Sequence, residues 1–234
     1  MEFSKLSSPS LKELFIKELE KMILSGKLEI GSKLPPEREL ASTMQISRAV
    51  INSGISELAR KGFLVIHPRI GTFVADYRRD GTLDTLIAIM NYNGGILRDD
   101  EIRSILELRI ALDTLAVKLS IPKITEDEIQ TLNSHVEALM KSTTFEQASA
   151  NAFAFQHELA FISGNTLLPL LFSSFKSPVL SLWNRYCLLY GIETLYKNTA
   201  QLCECIQMRD TQGAVDCLTI TIDDTIQGSR KIYY

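Results

Sequence analysis

Polar residues between positions 47 and 56 have the types and spacing best suited to a chemical role. Ser47 is placed to cap a helix that begins at Arg48, and no acid occurs on that helix before Glu57. A face of this kind enters the DNA major groove without repelling the phosphates, and its first residues reach base edges. Stepping by three and four, the face contains Arg48, Ala49, Asn52, Ser53 and Ser56.

Each cation or amide near this face suggests a different contact. Arg48 is placed for a bidentate contact to guanine, and Asn52 for adenine or a phosphate. Arg38, on the preceding helix, would reach the same groove or its edge. Arg69 would lie over an adjacent groove or the backbone. The alternative interpretation is a solvated helix face with ordinary arginines.

Three predicted helices and a hairpin must position these residues. Apolar residues recur at helical spacing from Leu11 to Ile23, a short helix follows Pro36, and a third runs from Ser47 to Lys61. Two β-rich runs, 63–67 and 72–74, are joined by residues 68–71. This order is typical of a winged helix-turn-helix.

The remainder of the chain predicts an all-α helical bundle, so the fold is mainly α. The polar, glycine-containing stretch 77–82 is the predicted linker between a DNA-binding domain at 1–76 and a helical domain at 83–234. Thr125 with Glu128 and Thr144 with Gln147 have capping-box spacing. The run 218–223, LTITID, has strand-like residues, but its four-residue apolar step favours a helix.

Composition sets broad limits on function. Residues 1–80 contain 13 Lys and Arg against 10 Asp and Glu, whereas residues 81–234 contain 12 against 18. Only residues 1–80 therefore carry a net positive charge, which is the sign that suits binding to a polyanion. No apolar run is long enough to span a membrane, and no signal pattern opens the chain, which predicts a cytoplasmic protein without a membrane partner. The four cysteines are expected to be buried apolar residues rather than metal or redox groups.

The N-terminal motifs resemble the GntR family of bacterial transcription regulators. They are "GKLEIGSKLPPERELA" at 26–41, "ISRAVINSGISELARKGFL" at 46–64 and "GTFV" at 71–74. The resemblance implies that Arg38 and Arg48 are the main base-reading residues and that the wing tip enters the minor groove. The predicted DNA-binding residues are Arg38, Ser47, Arg48, Ala49, Asn52, Arg69, Gly71 and Thr72.

Asn52 departs from this family pattern. The family usually has an arginine at that position, often as a phosphate clamp. Loss of the cation predicts weaker backbone affinity, a smaller salt dependence and a different operator.

The C-terminal part resembles the all-helical effector domain of the FadR subfamily, through "EIRSILELRIALDTLAVKLS" at 101–120, "FQHELAFISGNTLLPLL" at 155–171 and "CIQMRDTQGAVDCL" at 205–218. Most members bind a divalent metal with one aspartate and three histidines. One histidine is retained as His157, but the other positions are Phe153, Thr199 and Thr221. We therefore predict no metal and no cofactor.

Loss of the metal is shared with the branch of this subfamily that binds long-chain acyl-CoA. The glycine, serine and tryptophan that hold that ligand correspond to Ile220, Asp223 and Gln227, so acyl-CoA is one alternative only. An arginine inside a bundle would suit a carboxylate, a phosphate or a CoA-type ligand. The predicted effector-pocket residues are Arg109, Asp113, His157, Asn165, Arg185 and Tyr186.

These patterns favour a transcriptional regulator, with the resemblance implying a homodimer on a short palindromic operator. A small-molecule effector, an organic acid or acyl-CoA, would bind the helical domain and change the separation of the two recognition helices. An enzyme is disfavoured, since no nucleophile–base spacing, phosphate-binding glycine loop or metal set is found. The alternative is a DNA-binding regulator or adaptor whose vestigial effector domain responds to no ligand.

Overall fold

The computed structural model of the chain describes residues 9–92 and 99–233. The chain divides into two compact units, Met1–Gly94 and Gly95–Tyr234. The described elements of the first unit are helices α1 (Leu11–Leu24), α2 (Glu37–Met44) and α3 (Arg48–Arg60), strands β1 (Leu64–His67) and β2 (Gly71–Val74), and helices α4 (Tyr77–Asp80) and α5 (Leu83–Asn91). Those of the second unit are helices α6 (Asp99–Ser120), α7 (Glu126–Met140), α8 (Phe145–Ile162), α9 (Leu168–Ser174), α10 (Lys176–Tyr190), α11 (Ile192–Gln207) and α12 (Thr211–Ile226). The predicted fold class is confirmed.

Local capping starts α1 where the sequence pattern predicts. The Glu13 backbone N–H donates to Ser10 Oγ at 3.2 Å, and the Ser10 N–H donates to Glu13 Oε2 at 2.7 Å. This reciprocal pair satisfies two N–H groups at the helix start that have no partner within the helix. Helix α1 then buries Phe15, Ile16, Leu19 and Ile23, which gives the first unit much of its core.

Helices α1 and α3 approach closely at Gly54. A Cβ atom at this position would lie 2.3 Å from Cδ1 of Phe15, whose side chain is buried. The absence of a side chain at Gly54 therefore permits the packing that holds α3 in place.

The two strands form an antiparallel hairpin in which Leu64 pairs with Val74 and His67 with Gly71. The opposite edge of β2 pairs with the segment that precedes α2, where the Leu34 N–H donates to the Thr72 carbonyl at 2.8 Å. The outer edge of β2 is thereby paired with the segment that leads into α2.

The boundary between the units lies later than the linker predicted at 77–82. Residues Tyr77–Asp80 form α4, and α5 also belongs to the first unit. The Thr85 hydroxyl donates to the Lys61 carbonyl, while Tyr77 and Ala88 pack against the core that α1 and α3 share. These contacts join residues far apart in sequence, so the polar composition of the stretch did not reveal them.

All the regular elements that the structure describes in the second unit are helices. Residues 218–223 lie within α12, as their four-residue apolar step predicts. Thr125 and Glu128 form a reciprocal capping box at α7, and Thr144 Oγ1 accepts from the Gln147 N–H at α8. The core packs mainly between α6, α7, α8, α11 and α12.

The four cysteines are free thiols within the second unit, with Cys187 and Cys203 buried and Cys205 and Cys217 half-buried. Burial raises the pKa of Cys187 to about 11. Of the helices that the structure describes, none has the length and apolarity that a bilayer crossing requires.

Candidate DNA interface and effector cavity

The start of α3 presents the predicted DNA-contacting residues on one exposed face. Ser47 Oγ accepts from the Val50 N–H at 3.3 Å, so the helix begins at Arg48. Ile51, Ile55 and Leu58 bury the opposite face. The first turn contains no acid, which leaves an uncharged or cationic surface toward solvent. The exposed residues are Arg48, Ala49, Asn52, Ser53 and Ser56.

Helix α2 places a second exposed arginine close to this start in sequence. Pro36 precedes the helix and Arg38 lies in its first turn. The chain then turns sharply at Gln45, which has a φ of 52°, the left-handed region that closes a helix-turn-helix tightly. Only Ile46 separates this residue from the cap of α3.

The wing tip carries Arg69 in an unusual backbone conformation. The Ile70 N–H donates to the His67 carbonyl at 3.0 Å, which closes a turn with Pro68 and Arg69 at its centre. Arg69 has a φ of 65°, a region that residues other than glycine rarely occupy. Its side chain is exposed, while Gly71 and Thr72 behind it are half-buried.

Lys33 is a cation near the wing that the sequence patterns did not single out. Its Nζ lies 5.8 Å from the Phe73 ring centroid, and its side chain covers Gly71. The side chain is exposed beside β2. The position of Lys33 depends on the pairing of residues 31–34 with β2. Because this pairing is not local in sequence, the sequence patterns did not reveal it.

Among the described residues, no carboxylate lies within salt-bridge distance of the three arginines of this surface, Arg38, Arg48 and Arg69. By contrast, Arg60 at the far end of α3 pairs with Glu57 at 2.6 Å and with Asp84 at 2.7 Å. At the first end of α3, Arg48 is therefore available to an external anion, whereas Arg60 at the last end is already paired.

The second unit contains a small cavity of about 60 Å³ between α6, α8, α10, α11 and α12. Of the described residues around it, Arg109 is the one charged side chain. The neutral polar lining residues are Gln156, Tyr186, Asn198, Thr199, Thr221 and Thr225, and the rest of the wall is mainly apolar.

Arg109 and Tyr186 are the two predicted pocket residues that line this cavity. The Arg109 guanidinium lies 4.6 Å from the Trp183 ring centroid, and its Nη2 donates to Gln156 Oε1 at 3.1 Å. Burial raises the pKa of Tyr186, whose hydroxyl accepts from Asn198 Nδ2 at 3.1 Å.

Asp113 lies behind this wall and lines smaller spaces next to Arg109. Arg109 Nη2 donates to Asp113 Oδ2 at 3.1 Å, and both residues are buried. Burial raises the pKa of the Asp113 carboxyl, against the opposing effect of Arg109. The carboxylate is thus a counter-ion for Arg109 and not a direct part of the larger cavity.

The remaining predicted pocket residues lie elsewhere. His157 Nε2 lies 3.1 Å from the Pro169 carbonyl and 3.0 Å from Ser173 Oγ, on the side of α8 that faces α9. Asn165 Oδ1 accepts from the Leu167 and Leu168 N–H groups at the start of α9. Arg185 binds backbone carbonyls of Ile232 and Tyr233.

Gln156, one residue before the predicted His157, is the α8 residue that faces Arg109. The sequence signal that could have identified Gln156 is the buried stripe of α8 that Ala152, Phe155 and Leu159 form. Gln156 lies next to that stripe, and His157 does not. His157 instead stacks on Phe153, with ring centroids 5.4 Å apart.

The residues around the cavity do not fit a divalent metal. Thr199 and Thr221 line the cavity, but their neutral hydroxyls are poor ligands, and Phe153 offers none. His157 lies outside it. Across residues 9–92 and 99–233, no three His, Cys, Asp or Glu side chains come together as a metal set.

Comparison with known families gives matches in both units. Residues 12–74 match the family described as bacterial regulatory proteins, gntR family, and residues 104–224 match the FCD domain. The two matches cover the helix-turn-helix with its wing and most of the helical unit.

Several relatives are similar in sequence. The HTH-type transcriptional regulator YcbG of Bacillus subtilis is 29% identical over 57% of this chain and 54% of its own length. A fatty acid metabolism regulator protein of Shewanella pealeana is 30% identical over 68% of this chain and 65% of its own length. The chain thus spans between half and two thirds of these two relatives. A protein of the same name from Proteus mirabilis is 24% identical over 84% of this chain and 81% of its own length.

One solved structure shares the fold. It is described as Lar, which controls the expression of the Listeria monocytogenes agr system and mediates virulence. The TM-score is 0.65 at 16% identity, and the match covers 96% of this chain and 99% of that one.

Proposed function

Because the chain belongs to the gntR family of bacterial regulatory proteins and carries an FCD domain, we propose that it is a sequence-specific DNA-binding transcriptional regulator. The exposed, acid-free start of α3, with Arg48 at its first position, is the observation that carries this proposal. A helix of this kind fits the major groove end-on. We propose no catalytic step for the protein. Its proposed site of action is the chromosome in the cytoplasm.

We propose one DNA contact for each of the exposed residues of this surface. Arg48 addresses a guanine, Ala49 lies against a thymine methyl group, and Asn52 bonds an adenine or a phosphate. Arg38 reaches the groove edge from α2. Arg69, at the tip of the wing, enters the minor groove.

The proposed DNA-binding form of the protein is a dimer of two copies of the chain. One recognition helix covers only half of a palindromic operator. Helix α6 offers a surface for pairing, since Leu108, Leu115 and Leu119 recur at helical spacing and each is about two-fifths exposed. Light scattering of the purified protein tests the dimer, and Leu115→Glu is expected to give the monomer.

The proposed effector is an organic acid or an acyl-CoA bound in the cavity. A single cation within a largely apolar wall suits a ligand with one anionic group and an apolar body. Two relatives are named fatty acid metabolism regulators, which supports acyl ligands among the candidates. Binding would change DNA affinity only if the ligand prefers one of two arrangements of the dimer.

A regulator that responds to no ligand is the second candidate. The observation that favours it is the pairing of Arg109 with Asp113 and Gln156, which satisfies part of the cation without any ligand. Thermal-shift measurements with organic acids and acyl-CoAs separate the two candidates. Stabilisation by any of these supports an effector, and stabilisation by none supports the vestigial domain.

The DNA-binding proposal is tested by selecting operator sequences with the purified protein and measuring the affinity of Arg48→Ala for them. Loss of a bidentate base contact costs about 1–3 kcal/mol, so specific affinity should fall at least about fivefold. Arg60→Ala is the matched control on the same helix, because Arg60 pairs internally with Glu57 and Asp84. Equal operator affinity for wild type and Arg48→Ala would exclude the groove assignment.

A further inference from the structure

Residues 31–34 lie along the edge of β2 that faces away from β1, and they include a cation, Lys33. Lys33 forms a bridge with Phe73, and the Leu34 N–H donates to the Thr72 carbonyl at 2.8 Å. Residues opposite each other in a sheet share a face, so the Lys33 side chain lies on the face that also carries Phe73. Leu34 points to the other face, where it is buried in the core of the first unit. The backbone of Lys33 is thereby fixed.

The Lys33 side chain extends from its bridge with Phe73 toward the wing tip. A Cβ atom on Gly71, two residues closer to the tip, would lie 2.6 Å from Lys33 Cε and 3.3 Å from its Nζ. The lysine stem thus covers Gly71, in space that another residue type would fill with its own side chain. Nζ also lies 5.8 Å from the centroid of the Phe73 ring, which contacts the His67 ring edge-on. The ammonium is therefore directed to the end of the hairpin at which Arg69 lies.

Lys33 is exposed, and its charge is not used within the first unit. Among residues 9–92 and 99–233, no carboxylate lies within salt-bridge distance of its Nζ. By contrast, Lys61 at the last end of α3 pairs with Glu20 at 2.9 Å. A lysine whose stem is already packed loses little side-chain freedom when its ammonium binds a ligand. Lys33 is therefore a preformed contact for an external anion.

Lys33 lies between two parts of the proposed DNA surface. The segment 31–34 leads into α2, whose first turn carries Arg38, and it borders the wing, whose tip carries Arg69. When the start of α3 occupies a major groove and the wing tip occupies the neighbouring minor groove, one sugar–phosphate strand passes between them. A cation at this edge of the wing is placed to meet that strand.

We propose that Lys33 is a phosphate-contacting residue that positions the wing on DNA. The inference rests on the proposed function in taking α3 and the wing as the DNA surface. The Lys33 ammonium binds a phosphate oxygen of the strand between the two grooves, and this contact reads no base. It supplies a backbone cation to a surface on which Asn52 carries none. Because the ligand is the DNA backbone, Lys33 contributes equally to binding of the operator and of unrelated duplex DNA.

Fluorescence anisotropy with a selected operator duplex and with an unrelated duplex, from about 50 to 200 mM salt, tests the proposal. Lys33→Met keeps most of the stem and removes the charge, so circular dichroism should show an unchanged fold. The slope of log affinity against log salt should become smaller in magnitude by about one unit for each chain bound. Affinity for the two duplexes should fall by the same factor, since both contain the phosphate.

Two further variants separate the charge of Lys33 from its packing and its place. Lys33→Arg keeps the cation and should retain the wild-type slope. Lys17→Met is the matched control for loss of one positive charge, because Lys17 is exposed on α1 and lines a groove beside Glu57 and Lys61 at the last end of α3. Its slope should equal that of wild type.

Three results would overturn the proposal. The first is a wild-type slope for Lys33→Met, and the second is a decrease for Lys33→Arg as large as that for Lys33→Met. The third is a loss of affinity confined to the operator duplex, since that result would indicate a base contact.

The same measurements distinguish this proposal from the groove assignment of Arg48. Arg48→Ala should weaken binding to the operator more than binding to the unrelated duplex, whereas Lys33→Met should weaken both alike. Equal operator affinity for wild type and Arg48→Ala, with a smaller slope for Lys33→Met, would exclude the groove assignment alone. A wild-type slope for Lys33→Met, with loss of operator binding by Arg48→Ala, would exclude the role of Lys33 alone. Absence of binding to either duplex would exclude both.

Discussion

Arg109 Nη2 lies 3.1 Å from Asp113 Oδ2 on the same face of α6, and the other carboxylate oxygen, Oδ1, has no hydrogen-bond partner among the described residues. The guanidinium also contacts Gln156 and the face of Trp183. The cation of the cavity therefore has its own buried counter-ion. A ligand carboxylate would therefore share the Arg109 guanidinium with Asp113 and would not bind an unpaired cation.

Removing one partner of this ion pair should cost far more stability than removing both. Arg109→Met leaves a buried carboxylate without a counter-ion, and we expect a loss of about 3–5 kcal/mol in the free energy of unfolding. The double variant Arg109→Met, Asp113→Leu should recover most of this loss, because apolar residues replace both charges. Urea unfolding measures all three proteins.

Arg103→Met is the matched control for this series. Arg103 and Glu107 have the same four-residue spacing on α6, but their side chains are 58% and 56% exposed. We expect the control to change stability by about 0.5 kcal/mol or less. A double variant as unstable as Arg109→Met would contradict the assignment of Asp113 as the costly residual charge.

The stability of the second unit should fall as pH rises through the folded-state pKa of Asp113. Burial raises this pKa above the ordinary value, so the folded protein binds a proton that the unfolded chain has released. Asp113→Asn removes this contribution. The stability of Asp113→Asn relative to wild type should therefore increase from about pH 4 upward. Urea unfolding across that range checks the sign, and a pH-independent difference would exclude it.

Gly54→Ala should destabilise the first unit although alanine is the better helix former. The added Cβ would lie 2.3 Å from Cδ1 of Phe15, whose ring is 2% exposed and has little room to move. We expect a net loss of about 1–2 kcal/mol after the gain of about 1 kcal/mol in helix propensity. Thermal unfolding measures the change. Ser56→Ala, on the exposed face of α3, should be nearly neutral.

Arg69 should contribute to DNA affinity at a cost in wing stability. Its φ of 65° favours glycine, so Arg69→Gly is expected to be about 1 kcal/mol more stable than Arg69→Ala. Both variants lose the cation, and the salt dependence of operator binding should decrease by about one unit in slope. Equal salt slopes for wild type and both variants would show that Arg69 does not contact a phosphate.

The sequence by itself determined the features that depend on neighbouring residues. Ser47 and Thr125 cap helices through contacts three residues away, so their patterns were sufficient to predict where α3 and α7 begin. The hairpin was also predictable, because a short turn joins its two strands. The exposed face of α3 was predictable for the same reason, since a helical period fixes which residues share a side.

Tertiary structure alone decided the features that depend on distant partners. The Thr85 hydroxyl meets the Lys61 carbonyl and keeps α5 with the first unit, although the intervening polar stretch indicates a linker. Gln156 faces Arg109, 47 positions away, while the neighbouring His157 faces α9. Arg185 binds the Ile232 carbonyl, also 47 positions away. Local period and composition carry no information about such pairs, because the packing of whole helices brings them together.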